Sequence, residues 1–282
     1  MIFSLGKNAG VGTPLRSTKR AQSPVFRMPE FAHAPLVSFC ISHKNRLHQV
    51  KETLPKNLAD NRLDQSKIEF VFVDFESQED LGDWLMTEFA PELTSGYLKF
   101  FLCKGLDKWH SPKAKNTAHR LSSGKILVNL DGDNFTGYRG GMHVYNGFMS
   151  SPYDICLWQY SGDSQDGSFG RIAASRDAFF SLGGYNEEFL EMGFQDRDLV
   201  NRLEMIGSQV MLDMDGRYNQ AIVNEKYVPP GMKYEVMRRY NRKLAGRLVR
   251  TDNLVANQGF FGLTEVQQLV TSGGNKFEYV AI

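Results

Sequence analysis

Apolar runs alternate with amphipathic segments along the first half of the chain. Short runs rich in Val, Ile, Leu and Phe, which are typical of buried strands, occupy 36–41, 68–73, 98–102 and 126–130. Between these runs, the spacing of apolar positions predicts helices over 46–58, 80–89 and 113–121. Strands that alternate with helices are typical of a mostly parallel sheet with helices on both faces, so we expect an α/β protein.

The fourth apolar run leads directly into the motif Asp131-Gly132-Asp133. Ligands of parallel α/β sheets bind beyond the carboxyl ends of the strands, so we expect both carboxylates to lie where a ligand arrives. Two acids at this spacing suit Mg²⁺ or Mn²⁺, which prefer oxygen ligands and bridge protein carboxylates to a substrate diphosphate. The motif is short, and the same residue types also form ordinary turns.

The composition favours a soluble enzyme. The chain has 282 residues, of which 41% are hydrophobic and 23% charged, so it can bury a substantial core. A net charge of +1 gives no general attraction to nucleic acid. Three widely spaced cysteines, no apolar run of about 18 residues and no apolar secretory signal favour a cytoplasmic location.

Composition shifts near both ends predict extensions around one catalytic domain. Residues 1–34 are rich in Gly, Ser, Thr and Pro and carry basic residues but no acid before Glu30, which favours a flexible basic arm. An organelle transit peptide has a similar composition and stays an alternative. The expected domain bounds are 1–34, 35–226 and 227–282.

The C-terminal part predicts a basic helix after the Pro229-Pro230-Gly231 break, followed by a loosely attached tail over 251–282. Its cations are Lys233, Arg238, Arg239, Arg242, Lys243, Arg247 and Arg250. Such a helix is either a solvated face or a lipid or polyanion site, so a peripheral membrane contact through residues 233–250 is one hypothesis.

Four segments, taken together, resemble glycosyltransferases of the GT-A fold. The nearest types are the inverting family-2 enzymes and the β-1,4-galactosyltransferases with their C-terminal galactosyltransferase motif. The segments are ISHKNR at 41–46, KAKNTA at 113–118, DGD at 131–133, and a long one that includes FGRIAASR at 169–176, GGYNE at 183–187 and GFQDRDLVNRL at 193–203. The resemblance spans residues 35–205, and the long last segment is its most specific part.

The resemblance implies a single Rossmann-like GT-A domain and a role for each matching residue. Asp133, together with Asp131, would hold Mn²⁺ or Mg²⁺ against the donor diphosphate, and Asp196 would be the general base. Donor contacts are implied for His43, Lys44, Arg46, Asp74, Lys113, Asn116, Asp131 and Gly170. The expected reaction is inverting transfer of a hexose or N-acetylhexosamine from a UDP-sugar to a hydroxyl group of a saccharide or glycolipid, as in polysaccharide biosynthesis.

Two departures from the family pattern bear on activity. Gln195 stands where the family usually has Glu before the base, and no histidine follows His143 to serve as a further metal ligand. Asp213, Asp215, Asn224 or water could replace that histidine. Two alternatives therefore stay open: a non-catalytic module that binds sugar nucleotides or glycans, and a sugar nucleotidyltransferase. The second needs a glycine-rich loop after the first strand, and residues 42–46 contain no glycine.

Overall fold

The computed structural model describes residues 35–79, 81–163, 166–223, 228, 230–250, 253–273 and 276–282. The predicted arm over 1–34, Asp80 and Asn224 lie outside the described residues. Within the described part, nine strands form one sheet and helices pack against it, which confirms the predicted α/β architecture.

The strands of the sheet are β1 Val37–His43, β2 Ile68–Asp74, β3 Leu98–Cys103, β4 Ile126–Asn129, β5 Ile155–Gln159, β6 Ile172–Ser175, β7 Gln209–Asp213, β8 Val266–Gly273 and β9 Lys276–Ala281. Their spatial order is β7-β5-β6-β4-β1-β2-β3-β8-β9. The central strands β3, β2, β1 and β4 are parallel, whereas β6 is antiparallel to β4 and β5. Strands β1 to β4 confirm the prediction that the four apolar runs form strands.

The helices are α1 Leu47–Asn61, α2 Leu81–Glu88, α3 Ala90–Ser95, α4 Ser111–Leu121, α5 Gly140–Met149, α6 Arg176–Ser181, α7 Gln195–Met205 and α8 Tyr234–Arg250. The predicted helices over 46–58, 80–89 and 113–121 correspond to α1, α2 and α4, and the predicted basic helix is α8. A new helix begins after Phe89 because Pro91 suits a first turn and cannot continue α2.

Alternate residues of the central strands pack against helices on opposite faces of the sheet. Phe39 and Ile41 of β1 lie in one core cluster with Leu54 of α1, and the intervening Cys40 lies in another with Ala114 of α4. Both faces are covered, which explains why these strands are continuous apolar runs and not alternating ones.

A buried carboxylate on β2 holds the turn that precedes β4. Glu69, which is 2% exposed, accepts hydrogen bonds from the Ser38 hydroxyl at 2.6 Å and from the backbone N–H groups of Ser123 at 2.6 Å and Gly124 at 3.2 Å. It also pairs with Lys99 at 2.6 Å. Because β4 begins shortly after this turn, these contacts hold the start of β4 in place.

The C-terminal residues differ from the loosely attached tail predicted over 251–282. Strand β8 pairs with β3, and β9 pairs with β8, so both extend the central sheet. Leu263 donates its N–H to the Thr117 hydroxyl of α4 at 2.9 Å. The sequence of β8, VQQLVTSG, lacks the strict apolar–polar alternation that indicates a half-buried strand. The division into 1–34, 35–226 and 227–282 stays a prediction.

Glu69→Gln should lower the free energy of unfolding by about 1.5–3 kcal/mol at neutral pH, the range for hydrogen bonds to a charged group. Burial alone would raise the pKa of Glu69, but the charge of Lys99 and the hydrogen bonds outweigh it and lower the pKa below its ordinary value of 4.5. The stabilising contribution is therefore complete above that value and is lost as the pH falls through the folded pKa.

Urea unfolding of both proteins at neutral and acidic pH measures this difference. The gap between the wild type and Glu69→Gln should shrink as the pH falls below 4.5. Glu88→Gln, at an exposed position of α2, is the control and should change stability at neither pH. A gap that is unchanged or larger in acid would contradict the assigned role of Glu69.

Candidate active site

A cleft of about 710 Å³ opens at the carboxyl ends of β1 and β4. Loops after both strands line it, together with the segment before β6 and the starts of α4, α7 and α8. The predicted site residues that line the cleft are His43, Lys44, Arg46, Asp131, Asp133, Gly170 and Asp196. The predicted site residues that do not are Asp74, Lys113 and Asn116.

The turn after β4 presents Asp131 and Asp133 to the cleft. The Asp131 carboxylate accepts a hydrogen bond from the Asn129 amide at 3.0 Å, and the Asp133 carboxylate accepts one from the Asn134 amide at 2.7 Å. The backbone of Ile222 donates to the Asp133 carbonyl at 2.8 Å. Side chains and a returning segment of the chain therefore hold this turn in place.

Arg171, which the sequence did not single out, lies behind these two acids and is 1% exposed. Its guanidinium donates to the carbonyls of Tyr218 and Gln220 on the returning segment. Burial lowers the pKa of Arg171 to about 10, although the charges of Asp131 and Asp133 act in the opposite direction. Arg171 thus supports the turn and offsets part of its negative charge.

Asp196 lies in the first turn of α7 and faces the same cleft. The Lys115 ammonium donates to its Oδ1 atom at 2.8 Å, and the Gln195 amide donates to its Oδ2 atom at 3.1 Å. Asp198, in the same first turn of α7, instead forms a buried pair with Arg202 at 2.8 Å. Asp198 is therefore engaged with its own helix and not with the cleft.

Lys115, which lines the cleft, is a second residue that the sequence did not single out. It is 4% exposed, and its Nζ atom lies 2.8 Å from Asp196 and 3.5 Å from Asp131. Burial alone would lower the pKa of Lys115, but the charges of the two carboxylates outweigh it and raise the pKa well above its ordinary value. The only sequence signal was its position within the segment 113–118.

The loop after β1 forms the opposite wall of the cleft. His43 accepts a hydrogen bond from the Arg46 N–H at 3.4 Å, and its ring lies against Phe72. Burial, helped by the nearby charge of Arg46, lowers the pKa of His43 to about 4, so this imidazole is neutral at physiological pH. The Lys44 ammonium donates to the carbonyls of Phe75 and Leu106, which ties this loop to two others.

Of the three predicted site residues outside the cleft, Asp74 and Asn116 hydrogen-bond within the protein, and Lys113 is partly exposed. Asp74 accepts hydrogen bonds from the Ser77 hydroxyl at 2.5 Å and N–H at 3.1 Å, and burial raises the pKa of Asp74 despite these bonds. Asn116 is fully buried and hydrogen-bonds both the N–H and the carbonyl of Tyr185 at 2.8 Å, so it ties α4 to the GGYNE segment. Lys113 is partly exposed.

Asp213 and Asp215 do not replace the missing histidine ligand. Asp213 pairs with His143 at 2.7 Å, Asp215 pairs with Arg217 at 2.6 Å, and neither lines the cleft. Among the described residues, no group of three or more His, Cys, Asp or Glu side chains is arranged to hold a metal ion. The Asp131 and Asp133 oxygens nevertheless form a hard donor set that fits Mn²⁺ or Mg²⁺, since these ions take further ligands from phosphate and water.

Helix α8 holds the loop that leads to Asp196. The fully buried Asn241 accepts a hydrogen bond from the Leu190 N–H at 2.7 Å and donates to the carbonyls of Leu190, Met192 and Gly193. Tyr234, at the start of the same helix, lines the cleft. The basic helix predicted from the sequence is therefore part of the site, which its charge pattern alone did not indicate.

No protein-family model matches the chain, and no curated protein is similar to it in sequence. Solved structures do match. The mannosyltransferase PcManGT from Pyrobaculum calidifontis, in complex with GDP-Man and Mn²⁺, is 19% identical with a TM-score of 0.54, over 86% of this chain and 69% of that chain. S. aureus TarS 1-349 in complex with UDP-GlcNAc is 14% identical with a TM-score of 0.56, over 79% and 67%.

The chain spans 60% of another TarS 1-349 structure and 40% of a longer TarS structure. At these identities the similarity establishes the fold, while the finer relation to the β-1,4-galactosyltransferase type stays a prediction. The chain therefore has the fold of these glycosyltransferases, the GT-A fold that its sequence predicted.

Proposed function

We propose that the protein is an inverting, metal-dependent glycosyltransferase that moves a sugar from a nucleotide diphosphate donor to a hydroxyl acceptor. The observation that supports this most is the convergence of Asp131, Asp133 and Asp196 on one cleft at the carboxyl end of the sheet. Proteins of this fold have been solved with GDP-Man and Mn²⁺ and with UDP-GlcNAc. We keep a UDP-sugar, carrying a hexose or N-acetylhexosamine, as the proposed donor.

Asp133 is the proposed direct metal ligand, with Asp131 beside it. A bound Mn²⁺ or Mg²⁺ supplies Lewis-acid neutralisation of the charge that builds on the departing diphosphate. Arg46 and the neutral imidazole of His43, which line the β1 side of the cleft, are proposed to bind the nucleotide. Asn116 and Asp74 would act on the donor only indirectly, through the segments that they hydrogen-bond, and Lys113 does not line the cleft.

Asp196 is the proposed general base. A carboxylate has about four acceptor positions, so the hydrogen bonds from Lys115 and Gln195 leave others for an acceptor hydroxyl group. Gln195 donates its amide to Asp196, whereas a glutamate here would bring a second negative charge beside the proposed base. The departure from the family pattern therefore leaves the proposed base with a neutral hydrogen-bond donor.

We also propose that α8 brings the protein to an anionic membrane surface that carries a glycolipid acceptor. No helix among the described residues is long and apolar enough to cross a membrane. On α8, Met237, Asn241 and Ala245 are buried. The opposite side of the helix carries the exposed cations Arg239, Arg242, Lys243, Arg247 and Arg250. Phe260, ten residues after the end of the helix, is 87% exposed. An exposed basic helix face suits the surface of an anionic bilayer.

A thermal-shift screen of nucleotide sugars with Mn²⁺ tests donor binding. A true donor present at about 100 times its Kd should stabilise the wild type by about 2.7 kcal/mol. Asp133→Ala should abolish this Mn²⁺-dependent shift because the ligand that links metal and diphosphate is gone. Asp196→Asn should keep the shift but reduce transfer or donor hydrolysis by about 10²–10⁴-fold, the usual contribution of a general base.

The matched control is Asp215→Asn, which removes an aspartate outside the cleft and should change neither the shift nor turnover. A shift without any turnover in the wild type would favour the binding module. The absence of a shift with every donor, at concentrations far above a millimolar Kd, would contradict the proposed function.

Sedimentation with phosphatidylcholine vesicles, with and without phosphatidylserine, tests the membrane contact. The wild type should sediment only with the anionic vesicles, and less at high salt. Each cation near such a surface contributes about 1 kcal/mol, so Arg242→Gln with Lys243→Gln should weaken binding by about 30-fold.

The control for the vesicle experiment is Arg62→Gln with Lys67→Gln, which removes two exposed cations from another part of the surface and should leave binding unchanged. Sedimentation that does not depend on phosphatidylserine, or that both double variants weaken equally, would exclude a specific contact through α8.

A further inference from the structure

One buried cation of the cleft has no part in the metal or donor binding proposed above. Lys115 enters the cleft from α4, while the two acids that it contacts come from elsewhere in the fold: Asp131 follows β4, and Asp196 begins α7. The Nζ atom lies 2.8 Å from the Asp196 carboxylate and 3.5 Å from the Asp131 carboxylate. This ammonium therefore joins the proposed base to the proposed diphosphate side of the cleft.

We propose that Lys115 and Gln195 are positioning residues that hold the base at two points, and that Lys115 also couples the base to the diphosphate side. The inference rests on the proposed function and deepens it, because it assigns roles to two residues that have no part in the metal and donor binding proposed above. Lys115 donates a hydrogen bond to Oδ1 of Asp196 and Gln195 donates one to Oδ2, so together they fix the orientation of the carboxylate.

The surroundings of Lys115 leave its ammonium little freedom. Its Nζ atom lies 5.5 Å from the centre of the Tyr185 ring, which is fully buried beneath it. On another side lies Gly170: a Cβ atom there would come within 3.0 Å of Nζ and 2.6 Å of the Asp131 carboxylate. A glycine at position 170 is therefore needed for this close approach, and the lysine stays between the two acids.

The location of Lys115 matches the movement of charge in the reaction. As the acceptor O–H bond breaks, its proton goes to Asp196 and its oxygen forms a bond to the anomeric carbon. The bond between that carbon and the diphosphate breaks, and its electron pair leaves with the diphosphate. Negative charge thus disappears from Asp196 and builds on the diphosphate side. An ammonium already held between these two places stabilises the charge before and after transfer with little reorganisation.

Kinetics of Lys115→Met tests the inference. We expect kcat to fall by about 100-fold or more, as when a preorganised hydrogen-bond donor is removed from an active site. The KM should stay within threefold of the wild-type value. The Mn²⁺-dependent thermal shift caused by the nucleotide sugar should stay within threefold of the wild-type shift. If Lys115 acts through Asp196, the same substitution made in Asp196→Asn should cost less than about threefold more, because neighbouring residues that act together are not additive.

Lys99→Met is the matched control, since Lys99 also pairs with a buried carboxylate, that of Glu69, but does not line the cleft. It should lower the melting temperature and leave kcat unchanged.

Gln195→Met buries no unpaired charge, so it keeps the test available if Lys115→Met does not fold. We expect it to lower kcat by about 10-fold at unchanged donor affinity.

An unchanged kcat in Lys115→Met or in Gln195→Met would overturn the inference. So would a loss from Lys115→Met that is equally large with and without Asp196, because it would show that the lysine does not act through the base. A wild type that neither binds donor nor transfers sugar would instead overturn the proposed function, so the two failures are distinguishable.

Discussion

The compensation of negative charge is the constraint on which the cleft depends. Asp131, Asp133 and Asp196 line one cleft, and unit charges about 4 Å apart near a protein surface interact by about 4 kcal/mol. Two buried cations, Lys115 and Arg171, offset part of this charge. Within this group of five side chains, three carboxylates against two cations leave an excess of one negative charge, while Lys44, Arg46 and Lys108 line other parts of the cleft. A divalent ion fits that charge, and the ion in turn attracts a diphosphate, so metal and donor are expected to bind together.

Burying these cations constrains the residues around them. A lysine in the interior needs carboxylates on its ammonium, and an arginine needs acceptors for its guanidinium, or the burial is too costly. Arg171 finds the carbonyls of Tyr218 and Gln220, so the returning segment and the turn after β4 support each other. Gly170 leaves space where Lys115 and Asp131 meet. The charges of the site are thus part of what holds its backbone together.

Sequence patterns predicted the features that depend on local order and missed those that depend on distant partners. The strands and the exit of Asp131 from β4 follow from apolar runs and their order along the chain. Lys115 differs from Lys113 only in its partners, and Asp196 lies 81 residues away along the chain. Periodicity does not distinguish two lysines on one helix. Asn241 was equally hidden, because it is a single polar residue within a basic stretch whose charge pattern indicates a solvated face.

The two sides of the cleft are built by different kinds of interaction. Strand ends of the central sheet set the proposed donor side, and that sheet is shared with enzymes only 14–19% identical. Side chains of the C-terminal part hold the other side: Asn241 fixes the loop before Gln195, and Asn257 hydrogen-bonds the carbonyls of Gly183 and Tyr185. These bonds come from outside the parallel core. Substitutions of the residues that form them can therefore reshape the side of the cleft that holds Asp196, where the acceptor is proposed to bind, without disturbing the strands that present Asp131 and Asp133. A fold built in this way can keep one donor chemistry while its acceptor changes.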